Sequence, residues 1–302
     1  MTLHRFAFRA MAAENEIQVH AADAEAAHAA GQAAIAEVQR IEAKYSRYRP
    51  ESVLARVNAS AGGEAVAIDE ETTRLLDFAD ACHRQSEGAF DPTSGVLRRV
   101  WNFKAARVPD ADELAAVLPL IGWDRVERGA GSIRLPRAGM ELDFGGFGKE
   151  YAVDRAAAVL REHGIESAFV TLAGDLAILG EQPGGEAWRV GIQHPREPRA
   201  LIAKLPVASG GVATSGDYER FVEVEGVRHC HILDPRTGRS ARGFQSVTVH
   251  ATSCTVAGAA STIAMLKGRE AGEEWLRSLG LAFFAVRDDG STVHTFGGIP
   301  AG

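Results

Sequence analysis

The chain has 302 residues, 46% of them apolar and 24% charged, enough for one large packed domain or two ordinary ones. Its net charge of −7 argues against a broad basic surface for nucleic acid or an anionic membrane. No apolar run approaches the roughly 18 residues of a membrane span, and charged residues interrupt the N-terminal segment where a secretory signal would be apolar. Three scattered cysteines without CxxC spacing argue against a disulfide framework or a zinc site, so we expect a cytoplasmic protein.

The N-terminal part of the chain is predicted to contain two strands followed by three helices. Alternating polarity indicates the strands, and apolar stripes at helical spacing indicate the helices, the first of which ends before Pro50. Asp110 is placed to cap the third helix, and Glu113 to close a capping box. The predicted strands are residues 5–11 and 16–21, and the predicted helices are residues 24–48, residues 71–85 and a segment that begins at Asp110.

The rest of the chain is predicted to be rich in short strands. A helix is expected over residues 149–163, with Gly164 ending it. Because most helices come early and most strands come late with hairpin-like spacing, we predict an α+β fold, in one domain over residues 1–302. The remaining predicted helices are 256–267 and 271–278, and the predicted strands are 132–135, 140–144, 167–174, 176–180, 188–194, 201–207, 220–226, 228–233, 246–251 and 281–287.

One stretch, "ELDFGGFGKEYAVDRAAAVL" (141–160), places three glycines between a predicted strand and a predicted helix. Glycines let a backbone approach a ligand closely, and the free N–H groups at a helix start attract anions. A phosphate site is therefore physically reasonable. A plain strand-to-helix turn remains equally open, because the spacing matches neither GxGxxG nor GxxxxGK[ST].

Five further stretches, in this order along the chain, resemble the motifs of the ApbE family of flavin transferases. They are "SRYRPESVLARVNA" (46–59), "EGAFDPT" (87–93), "ATSGDY" (213–218), "HCHILDPRTG" (229–238) and "AGAASTIAMLKG" (257–268). The resemblance implies a T-fold-related α+β fold of mixed antiparallel sheets and packed helices, with FAD in the central cleft. It also implies Mg²⁺ and the transfer of the FMN half of FAD to a Thr or Ser hydroxyl of an acceptor protein, with release of AMP. Some relatives instead hydrolyse FAD to FMN and AMP.

The candidate catalytic residues are His231 and Asp217. The reaction needs a group that takes the hydroxyl proton, and the unperturbed pKa of a histidine lies near neutrality. His231 is also readable as an ordinary strand residue, and Asp217 either assists the base or caps a turn. Asp234 and Arg236, in "DPRTG", are expected mainly to hold the loop that presents His231.

The candidate FAD-binding residues come from four of the quoted stretches and, with Met11, from outside them, and each is also compatible with a purely structural role. Backbone amides near the first two glycines and the following lysine would neutralise the pyrophosphate, and the "TSG" residues would contact phosphate or flavin. By resemblance, a methionine and an asparagine approach the nucleotide end, and the "FD" pair lies on the flavin side. These residues are Met11, Asn58, Phe90, Asp91, Gly145, Gly146, Lys149, Thr214, Ser215 and Gly216.

The metal site departs from the family pattern. Relatives use a carbonyl of the glycine-rich turn, a helical Asp and a Thr four residues later, and the corresponding residues here are Gly148, Gly258 and Thr262. The carboxylate is missing, which should weaken Mg²⁺ binding. Three outcomes are open: phosphates and water hold the ion weakly, Asp143 or Asp175 substitutes, or FAD binds without turnover.

Two expectations follow from this departure. Gly258→Asp should restore the carboxylate and raise both Mg²⁺ dependence and turnover. Glu150 occupies a position where relatives commonly have glycine, and a negative side chain beside an anion site is unfavourable unless it points outward.

Overall fold

The computed structural model describes residues 1–105 and 107–297. Within these residues, none of the helices is long and apolar enough to cross a membrane. The helices are α1 (Ala24–Tyr45), α2 (Val53–Ala59), α3 (Glu70–Gln85), α4 (Ala111–Val117), α5 (Gly148–Glu162), α6 (Cys254–Lys267) and α7 (Arg269–Ser278).

The strands form one large sheet and three small ones, and every pairing is antiparallel. The large sheet has eight strands in the order β1-β2-β6-β7-β10-β13-β14-β15, while β3-β5-β4, β8-β9 and β11-β12 pair separately. The strands are β1 (Thr2–Ala10), β2 (Ala13–Ala21), β3 (Val66–Ala67), β4 (Glu127–Gly129), β5 (Ser132–Arg134), β6 (Ala168–Leu172), β7 (Asp175–Leu179), β8 (Trp188–Gln193), β9 (Leu201–Val207), β10 (Gly210–Gly216), β11 (Phe221–Val224), β12 (Val227–Cys230), β13 (Phe244–Ala251), β14 (Ala282–Arg287) and β15 (Thr292–His294).

Capping side chains fix where several helices begin. The predicted capping box of α4 is present, because the Asp110 carboxylate accepts from the Glu113 N–H at 2.8 Å and the Glu113 carboxylate accepts from the Asp110 N–H at 3.0 Å. Helix α5 ends as predicted before Gly164, whose φ of +77° suits glycine. Local sequence therefore determines these boundaries without help from distant residues.

Both faces of the large sheet are covered, which explains why all five residues of β7 are buried. Successive side chains of a strand point to opposite faces. Ala177 and Leu179 belong to the main core, which includes apolar side chains of α1, α5 and α6. Leu176 and Ile178 belong to a second cluster with side chains of β8 and β9. The central strands thus lie between a helical layer and a β-hairpin.

The predicted α+β fold class is confirmed, but two local predictions are wrong. Residues 140–144 are not a strand, because the Leu142 backbone pairs with the Asn58 side chain and the Asp143 N–H donates to the Pro92 carbonyl. Strand β10 was not predicted, since three of its seven residues are glycine. Gly211 has no side chain because the start of α6 lies directly against it. A close helix contact therefore hides the strand from propensity rules.

Candidate active site

The glycine-rich turn before α5 is held by its own side chains. The Asp143 carboxylate accepts from the Gly145 N–H at 2.9 Å and forms an ion pair with Arg47. The N–H groups of Phe147 and Gly148 both donate to the Phe144 carbonyl, at 3.1 and 2.7 Å. The Gly145 N–H therefore already has an acceptor within the protein, and its contact with a phosphate stays a prediction.

Gly146 lacks a side chain for a packing reason. A Cβ atom at this position would lie 2.6 Å from Cε2 of Phe90, which is far inside van der Waals contact. Phe90 is buried, and its ring centroid lies 6.2 Å from that of Phe147. The "FD" motif therefore meets the glycine-rich turn through an aromatic ring against a glycine.

Asn58 and Asp91 both use their side chains to hold backbone. The Asn58 amide donates to the Leu142 carbonyl at 2.9 Å and accepts from the Leu142 N–H at 2.7 Å. The buried Asp91 carboxylate accepts from the backbone N–H groups of Thr93 at 2.7 Å and Trp123 at 3.0 Å. The side chains of these two motif residues therefore already have partners within the protein, and they hold the backbone at Leu142, Thr93 and Trp123.

Met11 lies in the tight turn that joins β1 and β2. Met11 and Ala12 both have positive φ, at 52° and 62°, a conformation that non-glycine residues rarely adopt. The Met11 N–H donates to the Glu42 carboxylate of α1 at 2.7 Å. The turn is thus fastened to the first helix, and the Met11 side chain is partly buried against the main core.

A cluster of three ionisable side chains lies between α5 and the large sheet. Lys149 forms an ion pair with the buried Asp175 of β7, and its Nζ lies 3.5 Å from Oε1 of Glu150. Burial acts to lower the pKa of Lys149, but the two carboxylates outweigh it and raise that pKa above its ordinary value. The predicted phosphate-neutralising lysine therefore already carries protein carboxylates as partners.

Glu150 points inward, the direction that the sequence left undecided and that is unfavourable for an acid beside an anion site. It is 6% exposed, and its Oε2 has no hydrogen-bond partner among the described residues. Burial raises the pKa of this carboxyl above its ordinary value, against the opposing charge of Lys149. The side chain lies against Gly258 of α6, where a Cβ atom would be 2.5 Å from Glu150 Cγ and 3.0 Å from its Cδ.

The "TSG" residues connect β10 to α6. The Ser215 and Thr262 hydroxyl oxygens are 3.0 Å apart, and Ser215 also hydrogen-bonds Ser261 at 2.8 Å. The Thr214 N–H donates to the Asp175 carboxylate at 2.9 Å. Gly216 is buried beneath the Tyr218 ring. Two predicted motifs thus meet at the polar cluster, which supports their assignment to one site.

His231 directly follows the last residue of β12, and its two interpretations, as the base or as a hydrogen-bonded strand residue, both stay predictions. Its backbone N–H donates to the Arg220 carbonyl at 3.0 Å, four residues after the end of β10. His231 is exposed, and partial loss of hydration together with the charge of Arg220 lowers the pKa of its imidazole. A lowered pKa favours the neutral ring, the form that accepts a proton.

The predictions for the acidic loop residues Asp217 and Asp234 have different outcomes. The Asp217 carboxylate pairs with both guanidinium nitrogens of Arg196, at 2.6 and 2.7 Å, and lies 3.8 Å from Arg228. Its assistance to the base stays a prediction, because its bonds are to arginines. Asp234 pairs with Arg236 at 2.9 and 3.0 Å within the "DPRTG" turn, in keeping with the expected scaffolding role.

Sequence reasoning missed one partly buried acid, Asp154. The Asp154 carboxylate of α5 accepts from the N–H groups of Cys254 and Thr255, each at 2.8 Å, and so caps the start of α6. Asp154 lies four residues after Glu150, on the same face of α5. That spacing of two acids on an otherwise apolar face is the available sequence signal.

The fold and this cleft define an α+β protein whose ionisable side chains are gathered between two helices and an antiparallel sheet. No cluster of three or more His, Cys, Asp or Glu side chains that could hold a metal ion is found in residues 1–105 and 107–297. The chain belongs to the ApbE family, whose model matches residues 11–285.

Individual relatives agree with this assignment. The chain is 35% identical over 264 residues to an FAD:protein FMN transferase of Treponema pallidum (strain Nichols), covering 80% of this chain and 72% of the relative. A crystal structure of the ApbE protein from Thermotoga maritima matches with a TM-score of 0.89 at 32% identity, covering 97% of each chain. The apo form of Pseudomonas stutzeri flavinyl transferase ApbE matches with a TM-score of 0.86 at 28% identity, covering 97% of this chain and 95% of that one.

Proposed function

We propose that this protein is an FAD:protein FMN transferase, acting as one domain over its length. The observation that carries the proposal is the hydrogen bond between Ser215 and Thr262, at 3.0 Å. It joins the "TSGDY" and α6 motifs beside a buried cluster of ionisable groups, as a site for a charged ligand requires. The curated relatives named above carry the same activity in their names.

The proposed reaction replaces the phosphoanhydride bond between the two halves of FAD with a phosphate ester bond to the acceptor protein. A Thr or Ser hydroxyl oxygen of the acceptor protein forms a bond to the phosphorus of the FMN half of FAD. The bond from that phosphorus to the oxygen bridging to the AMP half breaks, and AMP leaves. His231 takes the hydroxyl proton, because its lowered pKa keeps the imidazole neutral at physiological pH.

The other residues of the cleft orient rather than react. Ser215 and Thr262 present hydroxyl groups that are already hydrogen-bonded to each other, so little rotamer freedom is lost when a phosphate binds. Lys149 holds Asp175 and approaches Glu150, and its positive charge adds to the potential felt by a phosphate. Asn58 and Asp91 fix the opposite wall through backbone contacts.

The residues present fit a magnesium ion. Thr262 offers a hydroxyl, Gly148 a backbone carbonyl, and Glu150 a buried carboxylate oxygen that has no partner among the described residues. Hard oxygen donors with one or two carboxylates are what Mg²⁺ takes in proteins. Bound there, Mg²⁺ would neutralise phosphate charge and polarise the reacting phosphorus.

A mass-shift assay tests the proposed function. The protein is incubated with FAD, MgCl₂ and candidate flavin-acceptor domains, and we expect an acceptor mass gain equal to FMN, with one AMP released per transfer. An acceptor variant in which the target Thr or Ser is alanine should stay unmodified. FAD that remains intact would instead indicate an FAD-binding protein, and free FMN and AMP without acceptor modification would indicate an FAD pyrophosphatase.

A further inference from the structure

Two positions of this chain depart from the family pattern in opposite senses, and they touch each other. By the resemblance to the family motifs, position 150 carries an acid where glycine is expected, and position 258 carries glycine where a metal-binding acid is expected. The two positions lie on different helices, α5 and α6, and are far apart in sequence. Their contact in space is therefore a property of the fold.

The contact is so close that only one of the two positions has room for a side chain in this arrangement. A Cβ atom on Gly258 would lie 2.5 Å from Cγ and 3.0 Å from Cδ of Glu150, and 3.3 Å from Oε1. A carboxyl carbon of an aspartate at 258 would lie a further ~1.5 Å from that Cβ. The Glu150 carboxylate thus reaches into the space that an aspartate side chain at 258 would use.

In the part of the chain that the structure describes, one oxygen of the buried Glu150 carboxylate lacks a partner that would offset its burial. Its Oε2 has no hydrogen-bond partner among the described residues, although the residue is 6% exposed. A buried carboxylate oxygen without a partner is costly and calls for a ligand or an ion. The neighbouring Lys149 is already paired with Asp175 and approaches only the other oxygen, at 3.5 Å.

Taking the proposed function as its basis, we propose that the metal-binding carboxylate has moved from α6 to α5 and that Glu150 supplies it. Gly258 is then the residue that makes room for the longer glutamate side chain. Thr262, one turn along α6 from Gly258, keeps the hydroxyl donor on the same face. Asp143 and Asp175 are not the substitutes, since Arg47 and Lys149 hold them.

This assignment reverses the sequence-based expectation for Gly258→Asp. The new side chain would collide with Glu150, and it would place a second carboxylate beside a buried one. The single substitution is therefore expected to destabilise the protein without improving metal binding. The double substitution Glu150→Gly with Gly258→Asp should instead rebuild the family arrangement.

The test is direct binding of MnCl₂, followed by the electron paramagnetic resonance signal of free Mn²⁺, for wild type and four variants. Glu150→Gln should weaken Mn²⁺ binding at least ~10-fold, because an amide replaces the anionic ligand. Glu162→Gln, at an exposed position of the same helix, should bind like wild type. The double substitution should recover affinity to within ~3-fold of wild type, while Gly258→Asp should gain none.

Each alternative result overturns the inference. Wild-type Mn²⁺ affinity in Glu150→Gln, improved affinity in Gly258→Asp, or a folded double variant that binds no better than Glu150→Gln would each exclude the carboxylate exchange. If the double variant is unfolded by circular dichroism, Glu150→Gln alone decides. If wild type transfers FMN and Glu150→Gln does not change Mn²⁺ affinity, the carboxylate exchange is wrong and the proposed function is supported. Mn²⁺ binding through Glu150 without FMN transfer would support the carboxylate exchange and contradict the proposed function.

Discussion

Two groups of candidate-site residues use polar side chains in opposite ways. In the first group, Asn58, Asp91 and the turn at residues 143–148, the side chains are bonded to the protein's own backbone. In the second group, Glu150 of α5 has one carboxylate oxygen without a partner among the described residues, and His231, directly after β12, is exposed. Motif membership alone therefore does not separate residues that hold the fold from residues whose polar atoms are available to a ligand.

The contrast predicts that substitutions in the first group of residues reduce stability and that substitutions in the second group reduce activity at unchanged stability.

The largest expected effect is that of His231→Asn. Loss of a general base typically costs ~10²–10⁴-fold, so kcat/KM for FMN transfer should fall by that factor. The measurement is acceptor flavinylation against time, with Tm as the stability readout. His163→Asn, at the exposed end of α5, is the control and should keep full activity. A retained rate in His231→Asn would remove the proposed base.

Asn58→Ala should act on stability. The substitution leaves both backbone polar groups of the buried Leu142 without their partners, which costs about 2 kcal/mol in the free energy of unfolding. Urea denaturation measures the loss, and Asn102→Ala at an exposed position should change it by less than ~0.5 kcal/mol. Unchanged stability together with weaker FAD binding would show instead that Asn58 is a ligand contact.

Gly146→Ala should have the next smaller effect. Its Cβ would lie 2.6 Å from the Phe90 ring, so the ring must shift in a packed core, at about 1–3 kcal/mol. Gly145→Ala meets its nearest atom only at 3.3 Å and is exposed, so it should cost ~0.5 kcal/mol or less. Equal losses in the two variants would contradict the packing explanation for the second glycine.

The pH dependence of transfer should show the smallest effect. The base must be neutral to accept a proton, and loss of hydration with the charge of Arg220 lowers the pKa of His231 below 6.5. The rate should therefore be near its plateau at pH 7.5 and fall through a midpoint below pH 6.5 as the ring becomes protonated. A midpoint above pH 6.5 would indicate a different titrating group.

Much of the fold was predictable because its signals are local. The stripe of α1, the capping box at Asp110 and the stop at Gly164 depend on residues within a few positions of each other. The motifs of the candidate site could likewise be identified, because each is a short continuous stretch of sequence. Strand β10 was not predicted because its glycine content lowers its strand propensity. Gly211 is required there because the start of α6 lies directly against it.

The direction of Glu150 was not predictable for the same kind of reason. Helix periodicity gives the face of α5 on which a side chain lies. Whether Glu150 can be buried against α6 depends on the absence of a side chain at Gly258. Considered alone, glycine at position 258 indicated a lost metal ligand. Glutamate at position 150, considered alone, indicated an unfavourable charge beside an anion site. Only their contact, at 2.5 Å for a Cβ on residue 258, shows that the two departures belong together.

The most direct test of the account is a crystal structure grown with FAD and MnCl₂, with anomalous diffraction recorded at the manganese edge. The account predicts an anomalous peak near Thr262, with a Glu150 carboxylate oxygen about 2.1 Å from the ion. A peak bound only by phosphates and water, or by Asp175, with Glu150 out of contact, would contradict it.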